Sequence, residues 1–163
     1  MADKLIATKA TLRSIGSHVR ADLVEQGAQN ASWSSDLAGQ CIRASFAVRD
    51  AILAAGYDAR VYGGYFYVNW PNPATCFCGS EYMDHPQKCH YVPHAWVESG
   101  VYIVDVTAKQ FIMRVVGGRL GQVEVASLIE LSHWVRGWPP GVPEDGHWVP
   151  GELRRRDIRI PLR

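Results

Sequence analysis

The chain lacks any apolar run approaching the roughly 20 residues needed to span a bilayer. Its first residues, Met1 to Lys9, hold no apolar stretch of the kind that directs secretion. Both absences lead to the expectation of a cytoplasmic protein. A dominant charge is also missing. Seventeen Lys and Arg stand against 16 Asp and Glu, for a formal net charge of +1, so no global field draws the chain to nucleic acid or to an acidic membrane. The one dense basic run, Arg154-Arg155-Arg156 with Arg159 and Arg163 beyond it, reads as a solvated, frayed segment. Internal repeats and low-complexity tracts are absent, which excludes solenoids and arrays. Cysteine is scarce, with four in 163 residues. In a reducing compartment these are expected to be free, catalytic or metal-bound rather than paired in disulfides.

What is present suits one folded domain over residues 1–163, long enough for a real core and short for two. With 47% hydrophobic and 20% charged residues, the composition is that of a globular chain rather than a disordered one. Leu5, Thr8, Leu12, Ile15, Val19 and Leu23 recur at three- and four-residue steps and predict a helix from residue 3 to about 29. A polar loop over 30–36 carries Trp33 and Ser35. A second helix is predicted from Cys41 to Ala55, with Cys41, Ala44, Val48 and Ile52 on one face and Gly56 as its stop. Residues 59–68 favour a strand, in which Gly63-Gly64 signals a bulge or a close backbone approach. An irregular, cysteine-rich insertion occupies 69–92. Val123-Glu124-Val125 reads as a further strand and 127–136 as a short helix. The segment 137–163 is rich in Pro and Trp; Trp134, Trp138 and Trp148 pack on the core or wall a cleft. Helices first and an antiparallel meander after predict an α+β fold, with the second helix packed on the sheet.

The chemistry concentrates around His94 and Asp105. Two short strands, His94-Ala95-Trp96-Val97-Glu98 and Val101-Tyr102-Ile103-Val104-Asp105, are expected to join through a Ser99-Gly100 turn. Paired about that turn, His94 opposes Asp105 on one face, with Cβ atoms roughly 4.5–5.5 Å apart. A carboxylate there orients the imidazole and selects its tautomer. Cys41, at a helix start, is the thiol such a ring would activate. A tetrahedral intermediate also needs donors for its oxyanion. The Cys41 backbone N–H is one candidate; Gln40, Ser35, the Trp33 indole and Trp96 are the others for that role or for substrate contact.

Gly39-Gln40-Cys41 at a helix start, Gly56-Tyr57-Asp58-Ala59-Arg60-Val61 entering a strand, His94-Ala95-Trp96-Val97-Glu98, and Asp105-Val106-Thr107-Ala108-Lys109-Gln110-Phe111 together resemble the transglutaminase-like superfamily. The resemblance covers roughly residues 33–112 and implies a papain-like core with a triad of Cys41 as nucleophile, His94 as base and Asp105 as orienting acid. Members of that superfamily cross-link glutamine to amines, hydrolyse peptides, isopeptides or amides, or transfer acyl groups to small molecules; some have lost catalysis. This chain lacks the accessory domains and calcium-site patterns of the large cross-linking enzymes and looks more like the small stand-alone bacterial or phage type. The expectation is thiol-dependent acyl transfer through a thioester, foremost hydrolysis of a peptide, isopeptide or amide bond, with a peptide, protein or small amide as substrate and no cofactor needed for catalysis. Transfer to an amine is the rival among enzymes, and a binding module that keeps the fold is the rival outside them.

Three cysteines and a histidine, Cys76, Cys78, Cys89 and His90, fall within 15 residues of the insertion. A closed structural zinc site is one reading, with His85 as an alternative ligand. Free thiols, or a redox-sensitive pair of Cys76 with Cys89, are the others, because the C-x-C spacing and the adjacent Cys89-His90 pair depart from the usual zinc patterns. Elemental analysis of protein purified without chelators separates them. A zinc site gives about one zinc per chain, lowered by Cys78→Ser; the other two give none.

Overall fold

The structure is a computed structural model that describes residues 5–30, 37, 39–67, 91–110, 122–129, 133–139 and 148–158. The zinc candidates Cys76, Cys78, Cys89 and His90, with His85, lie outside the described residues, as do Trp33 and Ser35. Among the described residues the fold is α+β: two α-helices and an antiparallel sheet of six strands.

The first helix, α1, spans Lys9–Asn30. It starts later than the apolar stripe suggested, because Thr8 caps it. The Thr8 hydroxyl accepts the Thr11 N–H at 3.1 Å and its carbonyl the Leu12 N–H at 3.0 Å. Leu5 instead bridges to Tyr57. Leu12 and Leu23 are buried, and Gly16 lets the helix approach the sheet so closely that a Cβ there would come within 2.8 Å of Val123. The second helix, α2, spans Cys41–Ala54 and buries Ala44, Phe46, Val48 and Ile52. It ends as glycine prescribes. Gly56 takes φ +86, its N–H bonds Leu53 O at 3.0 Å, and Tyr57 N–H bonds Ile52 O at 3.2 Å.

The strands are β1 (Arg60–Tyr67), β2 (Tyr91–Ser99), β3 (Tyr102–Asp105), β4 (Glu124–Ser127), β5 (Trp134–Val135) and β6 (Gly151–Leu153). They run in the order β4-β3-β2-β1-β5, with β6 also pairing β1. One face, with Val61, Ala95, Val97 and Val104, packs under the helices against Leu12, Leu37, Val48 and Ile52. The other face gathers Phe66, Trp96, Ile103, Ala108 and Trp134. Both sides of β2 are therefore covered, and it is buried from His94 to Ser99.

Three expectations need correction. The hairpin turn is Gly100-Val101, not Ser99-Gly100: Ser99 pairs with Tyr102, Glu98 with Ile103 and Val97 with Val104. Glycine takes the first central turn position, at φ +56, where a two-residue turn of the II′ kind favours it. Among the described residues of 127–136 the expected short helix does not form. Val125 continues β4 to Ser127, whose hydroxyl accepts the Ile129 N–H at 3.2 Å and turns the chain, and Trp134-Val135 becomes β5. The tail is not frayed where it is described. Strand β6 joins the sheet, Trp148 donates its indole N–H to Gly64 O at 2.6 Å, and Arg155 pairs with Asp50 at 2.5 Å over the Phe46 ring.

Gly63-Gly64 forms no bulge, since β1 pairs with β2 without interruption from Arg60 to Tyr67. The close approach is real at Gly64, where a Cβ would stand 2.4 Å from the Trp96 ring and 2.6 Å from the Val135 carbonyl oxygen. Gly64→Ala is therefore expected to lower stability by about 1–3 kcal/mol, read as the denaturant midpoint. Gly63→Ala should cost less, because the nearest atoms belong to the Leu153 and Trp148 side chains, at 3.0–3.1 Å.

Candidate active site

The approach to α2 is a tight turn with two left-handed residues. Leu37 takes φ +59 with its side chain fully buried, Gly39 takes φ +74, and Gln40 N–H closes the turn on Leu37 O at 3.0 Å. A left-handed leucine is costly and persists only where its surroundings dictate it. Cys41 is the first helical residue, half-buried and not in a disulfide. The first helical bond belongs to Ala44, whose N–H reaches Gln40 O at 2.9 Å. The N–H groups of Cys41, Ile42 and Arg43 thus precede the ladder and face outward along the helix axis.

His94 and Asp105 meet although they are not directly opposed. The register of β2 and β3 differs by two residues from the expected one, and an even shift keeps every side chain on its face. The pair is diagonal and lies beyond the last ladder pair, with the His94 Nε2 2.7 Å from Asp105 Oδ2. Both residues are at least 98% buried. The carboxylate is fully engaged. Its Oδ2 also accepts the Trp134 indole N–H at 2.9 Å, and its Oδ1 accepts the Thr107 N–H at 2.9 Å and the Thr107 hydroxyl at 3.0 Å. Phe66 stands edge-on to the His94 ring at 5.5 Å and to Trp134 at 5.5 Å, walling the pair from water.

With Nε2 committed to Asp105, the other ring nitrogen is the one left for Cys41, whose side chain interacts with the imidazole. Burial alone would depress the His94 pKa. The adjacent Asp105 carboxylate outweighs it, Cys41 adds in the same direction, and the value is pushed from 6.5 up to about 10. Burial would likewise raise Asp105, but the charged ring and the His94, Trp134 and Thr107 donors hold its carboxyl below the usual carboxylate range. Both shifts favour the charged pair of imidazolium and carboxylate, with Cys41 on the other side of the ring.

The structure thus brings Cys41, His94 and Asp105 together. Gln40 sits beside them, half-buried, as the residue before the helix; its side chain makes no capping bond. Trp96 is placed differently. It is fully buried, stacks on Tyr62 at 5.4 Å and donates its indole N–H to Glu98 at 3.3 Å, which leaves it no surface for a substrate. Glu98 itself belongs to a separate cluster with Arg60 at 2.9 Å and Arg136 at 3.1 Å, and the open cleft lined by Asp58, Ala59, Arg60, Glu98 and Gly100 borders that cluster rather than Cys41. Sequence reasoning missed Thr107 and Trp134 as partners of the acid. The Asp105-x-Thr107 spacing is a local signal for a side-chain-to-backbone turn; Trp134 arrives through sheet pairing and carries none.

Among the described residues no helix is long and apolar enough to cross a membrane, and no three His, Cys, Asp or Glu side chains cluster as a metal site. No family model, curated protein or solved structure matches this chain.

The two shifts fix a pH dependence. The folded state holds the His94 proton more tightly than the unfolded chain, so the stability it contributes is complete below pH 6.5 and is lost as pH rises toward about 10. Asp105 contributes above its ordinary value of 3.8 and loses that contribution as pH falls through its lowered folded value. Thermal melts across this range should show the alkaline decline in the wild type and a flatter one in Asp105→Asn.

Proposed function

We propose that this chain is a thiol-dependent acyl-transfer enzyme of the transglutaminase-like type, with a papain-like arrangement of Cys41, His94 and Asp105, and that it hydrolyses a peptide, isopeptide or amide bond. One observation carries the reading: a single buried imidazole holds a carboxylate on Nε2 and a half-buried thiol at a helix start on its other side. Each of the three has its chemical task from that arrangement.

The imidazolium is the counter-ion a thiolate needs. The Cys41 sulfur bonds to the substrate carbonyl carbon, and the charge that develops on oxygen is met by the backbone N–H of Cys41 and, beside it, the Gln40 side-chain amide. The C–N bond then breaks, and the departing amine takes the proton from His94. A thioester remains on Cys41. Water attacks it, His94 receives the water's proton and becomes charged again, the acid leaves and the sulfur is restored. Throughout, Asp105 keeps the ring oriented and offsets its charge. Asp105 itself stays ionised, because four hydrogen bonds fix it as an acceptor.

Trapping tests the reading. Wild-type protein incubated with a lysate and quenched in acid should carry an acyl adduct at Cys41, identified by peptide mass spectrometry and removed by hydroxylamine. Cys41→Ala should carry none, and His94→Ala should accumulate it about 100-fold or more slowly. Adducts on Cys76, Cys78 or Cys89 in place of Cys41 would overturn the assignment.

A further inference from the structure

Resting on the reading of Cys41 as nucleophile, we propose that Gln110 is a positioning residue: its side-chain amide ties the turn that delivers Cys41 to the turn that delivers Asp105. Gly39 N–H donates to Gln110 Oε1 at 3.2 Å. On its other side, Gln110 Nε2 donates to Thr107 O at 3.0 Å, and the Gln110 backbone N–H bonds the same carbonyl at 3.1 Å, so the side chain is held by its own turn. Thr107 in turn donates twice to Asp105 Oδ1.

These contacts close a ring. Cys41 contacts His94, His94 contacts Asp105, Asp105 contacts Thr107, Thr107 contacts Gln110, Gln110 contacts Gly39, and two peptide bonds lead from Gly39 back to Cys41. Nucleophile and base come from elements 53 residues apart in sequence. The short link through Gln110 joins the Gly39 backbone, two residues from the sulfur, to the turn beneath the acid. The turn it holds is one that does not hold itself easily, since Leu37 and Gly39 are both left-handed. Gln110 touches neither the thiol nor the ring in any hydrogen bond, so its effect passes through geometry. A misplacement of about 1 Å at a reacting atom costs on the order of 100-fold in rate, whereas loss of one neutral hydrogen bond shifts the melting temperature of a chain this size by only about 2–4 °C.

The test is the rate at which iodoacetamide modifies Cys41 in the full chain, mapped by peptide mass spectrometry at pH 6 and pH 9, with melting temperature measured in parallel. A thiol without an imidazole partner reacts on the order of 100-fold more slowly at pH 6 than at pH 9. The wild type should react within about tenfold at the two values, and His94→Ala should show the steep ratio. Gln110→Met keeps the length and apolar stem but offers no acceptor to Gly39. It should melt within about 4 °C of the wild type and lose about tenfold of the rate at pH 6. Gln110→Glu restores an oxygen for the Gly39 N–H but gives up the Nε2 bond to Thr107 O, and should recover part of that rate. A Gln110→Met protein with the wild-type ratio, or a Gln110→Glu protein with no recovery, overturns the proposal while leaving the triad intact. A His94→Ala protein with the wild-type ratio overturns the triad itself.

Discussion

The buried carboxylate of Asp105 is the constraint around which this structure is arranged. A carboxylate removed from water survives only if its oxygens are met by donors and its charge by a cation. Here the donors come from β2, from the turn after β3 and from β5, so the ion is satisfied only when the sheet order is complete. Trp134 must reach across β1 and β2 to make its bond. Two intervening strands at about 4.8 Å spacing set the backbones roughly 14 Å apart, more than the two side chains can span on a flat sheet. The sheet curls over this face, and Gly64, the partner of His94 in the ladder, is where the missing side chain makes room for the curl.

Two buried carboxylates lie within one hairpin, and their partners separate their uses. Glu98 is met by Arg60, Arg136 and the Trp96 indole. Guanidinium keeps its proton at any pH a protein experiences, so that cluster can brace the sheet but cannot take part in proton transfer. Asp105 is met by a histidine, whose proton can leave and return. The same hydrophobic face thus carries a fixed ion pair near the end of β2 and a titratable one four residues earlier in the strand.

Much of this was legible in the chain. The stripe of α1, the start of α2 at Cys41 and its glycine stop, and the strand over residues 60–67 follow from local periodicity and turn chemistry. The meeting of His94 with Asp105 was legible for a deeper reason: strand parity survives any even error in the turn, so misreading the hairpin by one position at each side moved the register without changing the face. What stayed hidden is non-local. Ser127 is as good a helix cap as a turn former, and only pairing with β1 makes Trp134-Val135 a strand. Likewise Gly151–Leu153 becomes a strand because β1 has a free edge, and no residue in the tail announces that. Gln110 sits in a motif whose sequence names the acid and conceals the amide's reach to Gly39.

The position of Trp134 in the chain also orders the birth of the site. A polypeptide leaves the ribosome from its N-terminus, and Cys41, His94 and Asp105 all emerge before the indole that completes the carboxylate's shell. While residues up to 133 are out, β5 does not exist and Asp105 is one donor short. Between the emergence of Asp105 and that of Trp134, 29 residues later, the nascent chain holds Cys41, His94 and Asp105 with the carboxylate's shell unfinished. Completion of that shell waits on a strand of two residues.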